Sequence, residues 1–197
     1  MFRSLGFETE TEIAVYERDL TTRLPAIPPL PAGFEAQPLA DVPAREWLEL
    51  ITAPMRRVSP DLIERKCAPD PDDYTEEWVK GRVESPHTIR DASLAAYQEG
   101  GLVAAIHVYG VTSWEFWLYE PGTSVFIPYS DTDADLQAVM PHLQAVSLKV
   151  LKKAGFKTNI MELSRNQETP WPPILESLGF RHVRSKWNLR LRLKGDD

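Results

Sequence analysis

Glu115 is the side chain in this sequence that is best suited to act as a general base. It lies between Trp114 and Phe116, in a run of alternating residues that is typical of a β-strand. A carboxylate among aromatic rings is expected to have a raised pKa, which suits proton removal near neutral pH. In the alternative interpretation this face of the strand is in solvent, and Glu115 has no chemical role. Glu162, on a later predicted strand, is a second candidate.

The other reactive residue types do not form a recognisable site. Cys67 is the single cysteine, so an intrachain disulfide is not expected. An activated thiol is not expected either, although Arg65 and Lys66 precede Cys67 in the sequence. The alternating aspartates of segment 131–135 have the spacing of a calcium loop, but Leu136 stands where that loop needs glycine. The histidines are scattered, and His107, among apolar neighbours, is expected to have a structural role. We therefore expect no metal site.

The composition excludes several classes of function. The chain has 197 residues, and its fractions of hydrophobic (43%) and charged (26%) residues are those of a globular protein rather than a disordered one. A net charge of −7 and the lack of a basic run argue against binding to nucleic acid or an anionic membrane. The longest apolar stretch, residues 102–106, is too short to span a bilayer, and the N-terminus has no signal-peptide core. We expect a cytoplasmic protein.

The hydrophobic pattern predicts a mixed α+β (α/β) fold with a curved, mainly antiparallel sheet flanked by helices. Two β-prone runs on either side of a Gly-containing turn at 99–101 indicate a hairpin. These elements place both candidate bases on strands. Strands are predicted at residues 33–39, 93–97, 102–111, 112–119, 124–129, 159–163 and 181–193, and helices at 42–53, 59–66, 75–84, 136–154 and 174–177.

The segment 154–183 carries the sharpest motif. A helix that closes at Gly155 is followed by a strand, a polar loop with Asn166, a short helix, and the turn Leu178-Gly179-Phe180 into a final strand. Gly179 is expected to take a positive φ at the helix end, and Phe180 to be buried. In this ending, and in the order of its elements, the sequence resembles the GCN5-related N-acetyltransferases (GNAT).

The resemblance implies a GNAT-like domain that binds acetyl-CoA and acylates an amine by direct attack on the thioester. It implies further that the strand segment Val125, Phe126 and Ile127 offers backbone hydrogen bonds to the pantetheine arm. Asn166, in the polar loop, is the remaining residue that the resemblance places at the cofactor.

A short internal repeat bears on the domain organisation. Residues 2–7 (FRSLGF) match residues 175–180 (LESLGF), and an alternating, strand-like run follows each copy. We interpret residues 1–24 as an arm that resembles the end of a preceding GNAT repeat, 25–32 as a proline-rich linker, and 33–194 as the GNAT-like domain. Chance recurrence of the pattern is the alternative. Because such an arm cannot bury its own face, we expect it to pair with an edge of the main sheet or with a neighbouring subunit.

The segment where a GNAT protein would hold the diphosphate of acetyl-CoA departs from the family pattern. Residues 130–137 read SDTDADLQ, with three carboxylates and neither a glycine nor a basic residue. One carboxylate 6 Å from a phosphate would oppose binding by about 0.7 kcal/mol even in bulk water. Alternatively, these residues cap the next helix. The family's proton-donating tyrosine corresponds to Leu175, and to Phe2 in the repeat, and neither can transfer a proton.

Two functions from different classes follow. The first is a GNAT-family, acyl-CoA-dependent N-acyltransferase (acetyltransferase-like) with a divergent cofactor loop and a small-molecule or peptide amine as acceptor. The second is a catalytically inactive GNAT-fold module that acts as a partner or regulatory half. The resemblance implies acetyl-CoA for the first function, whereas the acidic loop and Leu175 favour the second. The expected protein partner is a second copy, in a homodimer, or a second GNAT domain.

Overall fold

The computed structural model describes residues 7–57, 70–111, 119–130, 132–164 and 171–191. In these ranges one sheet has the strand order β2-β3-β4-β5-β6-β1-β7. Its strands are β1 (Phe7–Asp19), β2 (Phe34–Pro38), β3 (Leu94–Gln98), β4 (Gly101–Val111), β5 (Thr123–Ser130), β6 (Thr158–Ser164) and β7 (Arg181–Leu191). The helices are α1 (Ala44–Arg56), α2 (Glu76–Glu84), α3 (Asp133–Lys153) and α4 (Trp171–Ser177). None of these helices is long and apolar enough to cross a membrane.

The sheet is antiparallel except between β5 and β6, which run parallel and are connected through α3. This confirms the predicted fold class, a mixed α+β fold with a mainly antiparallel sheet. The predicted hairpin is β3–β4, and its turn residues Glu99 and Gly100 both have a positive φ (51° and 82°), as a tight two-residue hairpin turn requires. The helix predicted at 59–66 and most of the strand predicted at 112–119 lie outside the described residues.

Strand β1 lies inside the sheet, between β6 and β7. Residues 13–19 pair antiparallel with β6, and residues 7–17 pair antiparallel with β7. The arm therefore pairs with the main sheet, but the expectation that it does so at an edge is wrong, because β7 extends the sheet on its far side. The division into an arm, a linker and a GNAT-like domain stays a prediction.

The segment from Thr22 to Leu30, which includes most of the proline-rich linker, packs along helix α3. His142 Nδ1–H donates to the Pro28 carbonyl at 2.7 Å, and the Lys152 ammonium donates to the Thr22 carbonyl at 2.6 Å. The apolar side chains of this segment pack against the core beneath the same helix: Leu24, Ile27 and Leu30. These contacts define the path of the chain from β1 to β2.

A pair of helices covers each face of the sheet. Helices α3 and α4 cover the face that we call the α3 face, and helices α1 and α2 cover the opposite one, the α1 face. The neighbours Ala95 and Ala96 belong to different cores, as do Ala104 and Ala105, because successive side chains of a strand alternate between its faces. Functional side chains on β4, β5 and β6 can therefore be assigned to a face from their position in the strand.

Helix α4 ends in the turn that the sequence motif predicts. Gly179 has a φ of 79°, its N–H donates to the Glu176 carbonyl at 2.9 Å, and the Phe180 N–H donates to the Leu175 carbonyl at 2.9 Å. This pair of bonds is the Schellman motif. Phe180 is buried, with its ring centroid 6.2 Å from that of Phe126. The predicted positive φ and the predicted burial are both confirmed.

Candidate functional site

The sheet opens between its two parallel strands. β5 and β6 pair only from Thr123 and Thr158 as far as Phe126 and Met161. Beyond that point, among the residues that the structure describes, β5 is paired with β4 alone and β6 with β1 alone. The far halves of β5 and β6 therefore have backbone groups that no described strand pairs with, on the sides where the two strands were neighbours.

Pro128 explains where the pairing stops. The backbone groups of Val108 and Gly110 bond to segment 87–89, so they face away from β5. Because bonding sides alternate along a strand and Val108 is opposite Phe126, the backbone groups of Phe126 and Pro128 face β6. Proline has no N–H, so it cannot donate the next hydrogen bond of the ladder. The parallel pairing accordingly ends after Phe126.

The predicted cofactor residues can be compared with this opening. By the same alternation, Val125 and Ile127 direct their backbone groups to β4, and Phe126 occupies the last position paired with β6. The groups that face the opening from β5 are the Pro128 carbonyl and the backbone N–H and carbonyl of Ser130. The binding role of residues 125–127 stays a prediction. Two other predicted site residues lie outside the described residues: Glu115 and Asn166.

The N-terminus of helix α3 is capped by its own side chains. Thr132 Oγ1 accepts a hydrogen bond from the Asp135 N–H at 3.1 Å and donates one to the Asp135 carboxylate at 2.6 Å. Asp133, in the same first turn, is exposed. Acyl-CoA, which the resemblance implies, requires a place for its diphosphate, and a helix N-terminus serves this purpose when its N–H groups are free of competing anions. The residues present do not fit that group.

The predicted position of the general acid is part of the core. Leu175 is fully buried on the α3 face, within α4. Its side chain is apolar and carries no proton to give. The equivalent position in the repeat, Phe2, lies outside the described residues.

An ion pair between Glu162 and Lys186 lies on the α1 face of the sheet. Met161 and Leu163 belong to the core of the α3 face, so Glu162 between them points to the α1 face. Glu162 forms an ion pair with Lys186 of β7, and the two side chains are mostly buried, with 30% and 22% exposure respectively. Lys186 also donates to the Tyr119 hydroxyl at 2.9 Å. The sequence identified Glu162 as a candidate base, but it did not identify this partner.

An aromatic cluster covers β4 and β5 on the same face. We use this name for the rings of Trp47, Tyr74, Trp78, His107, Tyr109 and Tyr129, which are in contact through successive edge-to-face pairs or share the guanidinium of Arg82. The guanidinium carbon of Arg82 lies 4.4 Å from the Trp78 ring centroid and 5.5 Å from that of Tyr109. Arg82 also donates a hydrogen bond to the Tyr109 hydroxyl. The cluster therefore contains one cation held between two rings.

His107 is buried in this cluster as a neutral imidazole of defined tautomer. Thr88 Oγ1 donates its hydrogen to the Arg82 carbonyl at 2.6 Å, so towards His107 Nε2, at 3.0 Å, it accepts. The proton is therefore on Nε2, and Nδ1 is a bare acceptor that has no partner among the described residues. Burial, and secondarily the Arg82 charge, lower the pKa of His107 to about 3. The imidazole thus adds no charge at neutral pH.

Arg82 is the residue of this group that sequence reasoning missed. The pattern of α2 identified Trp78 only as an apolar contact. The available signal was the spacing of Trp78 and Arg82, four residues apart, which places them on one face of a helix. The expectation that His107 has a structural role agrees with its burial.

No protein-family model matches the chain, and no curated protein does. Among solved structures, the GCN5-related N-acetyltransferase from Sphaerobacter thermophilus has a TM-score of 0.68 at 14% identity, covering 94% of this chain and 53% of that one. A GCN5-related N-acetyltransferase from Kribbella flavida has a TM-score of 0.57 at 13% identity, covering 95% and 61%. A tandem GNAT protein from the clavulanic acid biosynthesis pathway has a TM-score of 0.61 at 14% identity, covering 95% and 55%.

These similarities establish the fold. The chain has the GNAT fold, as the sequence resemblance implied. It spans between 53% and 61% of the length of the three structures that it resembles.

Proposed function

We propose that this chain is a GNAT-fold half of an N-acyltransferase that does not itself hold acyl-CoA, and that it serves as the partner or regulatory half of a second GNAT domain. The observation that carries the proposal is the capped, acidic start of helix α3, where Thr132 and Asp135 use each other and Asp133 adds a further negative charge. A diphosphate at this position meets two carboxylates and a side-chain cap that already uses the Asp135 N–H.

Two other features support the same conclusion. Pro128 removes a backbone donor from the edge of β5 that faces the opening, so an extended, amide-containing chain finds one fewer hydrogen bond there. Leu175 fills the position of the general acid with a buried apolar side chain. Each feature acts on a different part of the reaction, namely the diphosphate, the extended arm and the leaving thiolate.

The second GNAT domain is proposed from length and from the repeat. The chain spans about half of the solved structures that it resembles, and one of these is described as a tandem GNAT protein. Residues 2–7 repeat the motif of residues 175–180, and the strand that follows them is inserted between β6 and β7. Sedimentation of the purified chain tests the alternative partner: a dimer would make a second copy, rather than another domain, the first candidate.

A second candidate function is an acyl-CoA-dependent N-acyltransferase with a divergent cofactor loop. The opening between β5 and β6 favours it, because unpaired strand edges can bind an extended chain. Glu162 lies on one of these two strands and would be the base for an amine acceptor, which is a small molecule or a peptide. In this case acetyl-CoA is the cofactor.

A titration with acetyl-CoA, followed by thermal unfolding and by calorimetry, separates the two candidates. A ligand at 100 times its dissociation constant stabilises a protein by about 2.7 kcal/mol, which is about 5–10 °C in Tm for a chain of this size. We expect no concentration-dependent rise. A saturable rise would refute the proposal and establish the second candidate, which release of free CoA in the presence of amines would then extend to activity.

A matched pair of variants tests the reason for the expected result. Asp133→Asn/Asp135→Asn removes two negative charges at α3, and Asp72→Asn/Asp73→Asn removes two exposed charges elsewhere. If the charges of α3 are the obstacle, only the first variant gains affinity for acetyl-CoA. Equal gains would show that net charge, rather than the start of α3, governs binding.

A further inference from the structure

Arg82 is a positively charged residue in the middle of the aromatic cluster. Within the described ranges it makes no ion pair, in contrast to Lys186, which is paired with Glu162. Its side-chain hydrogen bond within these ranges goes to the neutral Tyr109 hydroxyl. An arginine presents five N–H donors, so the described residues use only part of the binding capacity of Arg82.

The guanidinium is nevertheless held in a defined orientation. Nη1 is bonded to Tyr109, and the plane is in contact with the Trp78 ring, with 4.4 Å between the guanidinium carbon and the ring centroid. The edge formed by Nε and Nη2 is therefore the edge that stays available. Arg82 is half-buried, so part of the residue is accessible to solvent.

We propose that the Nε–Nη2 edge of Arg82 binds the carboxylate of a small aromatic ligand, whose ring packs beside Trp78 and Tyr109. Two parallel N–H donors match the two oxygens of a carboxylate, and a guanidinium that packing already orders loses little entropy on binding. The adjoining ring faces supply apolar surface for a planar group. This site is on the α1 face over β4 and is independent of whether acyl-CoA binds at the opening between β5 and β6.

The charge of the site favours a carboxylate over a phosphate. Arg82 is the one cation that the aromatic cluster contains, since the proton of His107 is on Nε2 and its Nδ1 is bare. A single charge matches a monoanion, whereas phosphate recognition generally uses several cations or a set of backbone N–H groups. The tyrosine hydroxyls nearby are neutral at neutral pH and do not oppose an anion.

The test is a titration of the purified chain with phenylacetate, with phenylacetamide as the uncharged isostere and inorganic phosphate as the competing anion. Binding is followed through the Nε–H resonance of Arg82 and the indole N–H resonance of Trp78. We expect both resonances to shift saturably with phenylacetate, and neither to shift saturably with phenylacetamide. Equal binding of the amide, or tighter binding of phosphate, overturns the proposal.

Substitutions identify the residue that is responsible. Arg82→Gln should weaken phenylacetate binding by about tenfold or more, as expected for loss of a charge-assisted pair. Arg82→Lys keeps the charge but loses the paired donors, so its affinity for phenylacetate should lie between those of the wild type and Arg82→Gln. Arg90→Gln, which changes an exposed arginine elsewhere, should bind phenylacetate with the affinity of the wild type. Each variant is first shown to keep the wild-type Tm. A folded Arg82→Gln variant that binds phenylacetate normally refutes the assignment.

Discussion

Acidification should destabilise this protein through His107. In the folded chain the pKa of His107 is about 3, whereas an unfolded chain has an ordinary histidine pKa of about 6.5. Between these two values the unfolded state binds a proton and the folded state does not. The stability that His107 contributes is therefore complete above about pH 6.5 and falls as the pH decreases towards about 3.

The magnitude follows from the interval that is crossed. At about pH 5 the solution is about 1.5 units below the unfolded pKa, and each unit corresponds to 1.36 kcal/mol, so His107 accounts for a loss of about 2 kcal/mol. For a chain of this length the corresponding decrease in Tm is about 4–8 °C.

The assay is urea unfolding of the wild type and of His107→Gln at neutral and at acidic pH. Other titrating groups contribute equally to both proteins, so we expect the wild type to lose about 2 kcal/mol more than the variant. Should the His107 variant fail to fold, the Cε1–H resonance of wild-type His107 gives the same information. Equal losses in wild type and variant, or titration of that resonance near pH 6.5, would refute the reasoning.

Four further substitutions test the packing and the backbone conformation by urea unfolding. Gly110→Ala places a Cβ 2.8 Å from the Phe156 ring, so we expect a loss of about 1–3 kcal/mol. Gly101→Ala, on the same strand, should change stability by less than about 0.5 kcal/mol, and similar effects at both sites would contradict the clash. Phe180→Ala should cost about 3–5 kcal/mol, whereas a silent substitution would argue against its place in the core. Gly179→Val should cost about 1–3 kcal/mol because φ is positive there, and wild-type stability would disprove that conformation.

Structures that depend on near neighbours in the sequence could be predicted. The turn after α4 forms between residues three and five positions apart, so the letters at 175–180 were sufficient to predict it. The β3–β4 hairpin likewise depends on two turn residues, Glu99 and Gly100. Helix α4 starts at Trp171, three residues before the predicted start at 174, and its first turn includes Pro172 and Pro173. The N–H groups of the first turn have no partner within a helix, so prolines, which have no N–H, are tolerated there.

Structures that join distant segments could not be predicted. The position of β1 in the sheet depends on pairing with residues of β6 and β7 more than a hundred positions away. An alternating pattern predicts which residues share a face of a strand, but not which strands pair with it. The tautomer of His107 depends on Thr88, and through it on the carbonyl of Arg82, which lie outside the strand of His107. Nothing in the letters around position 107 indicates that network.

The interior place of β1 has a consequence for protein synthesis. Of the described strands β1 is made first, and its two neighbours, β6 and β7, are made last. Roughly 140 residues separate Asp19 from its partner Thr158, so at about 5–20 residues per second the ribosome needs about 7–30 s before they can pair. During this interval β1 is an unpaired strand in the nascent chain. The alternating glutamates of its first residues, FETETE, oppose aggregation before β6 and β7 are synthesised, because charged residues beside an exposed strand disfavour pairing with other chains.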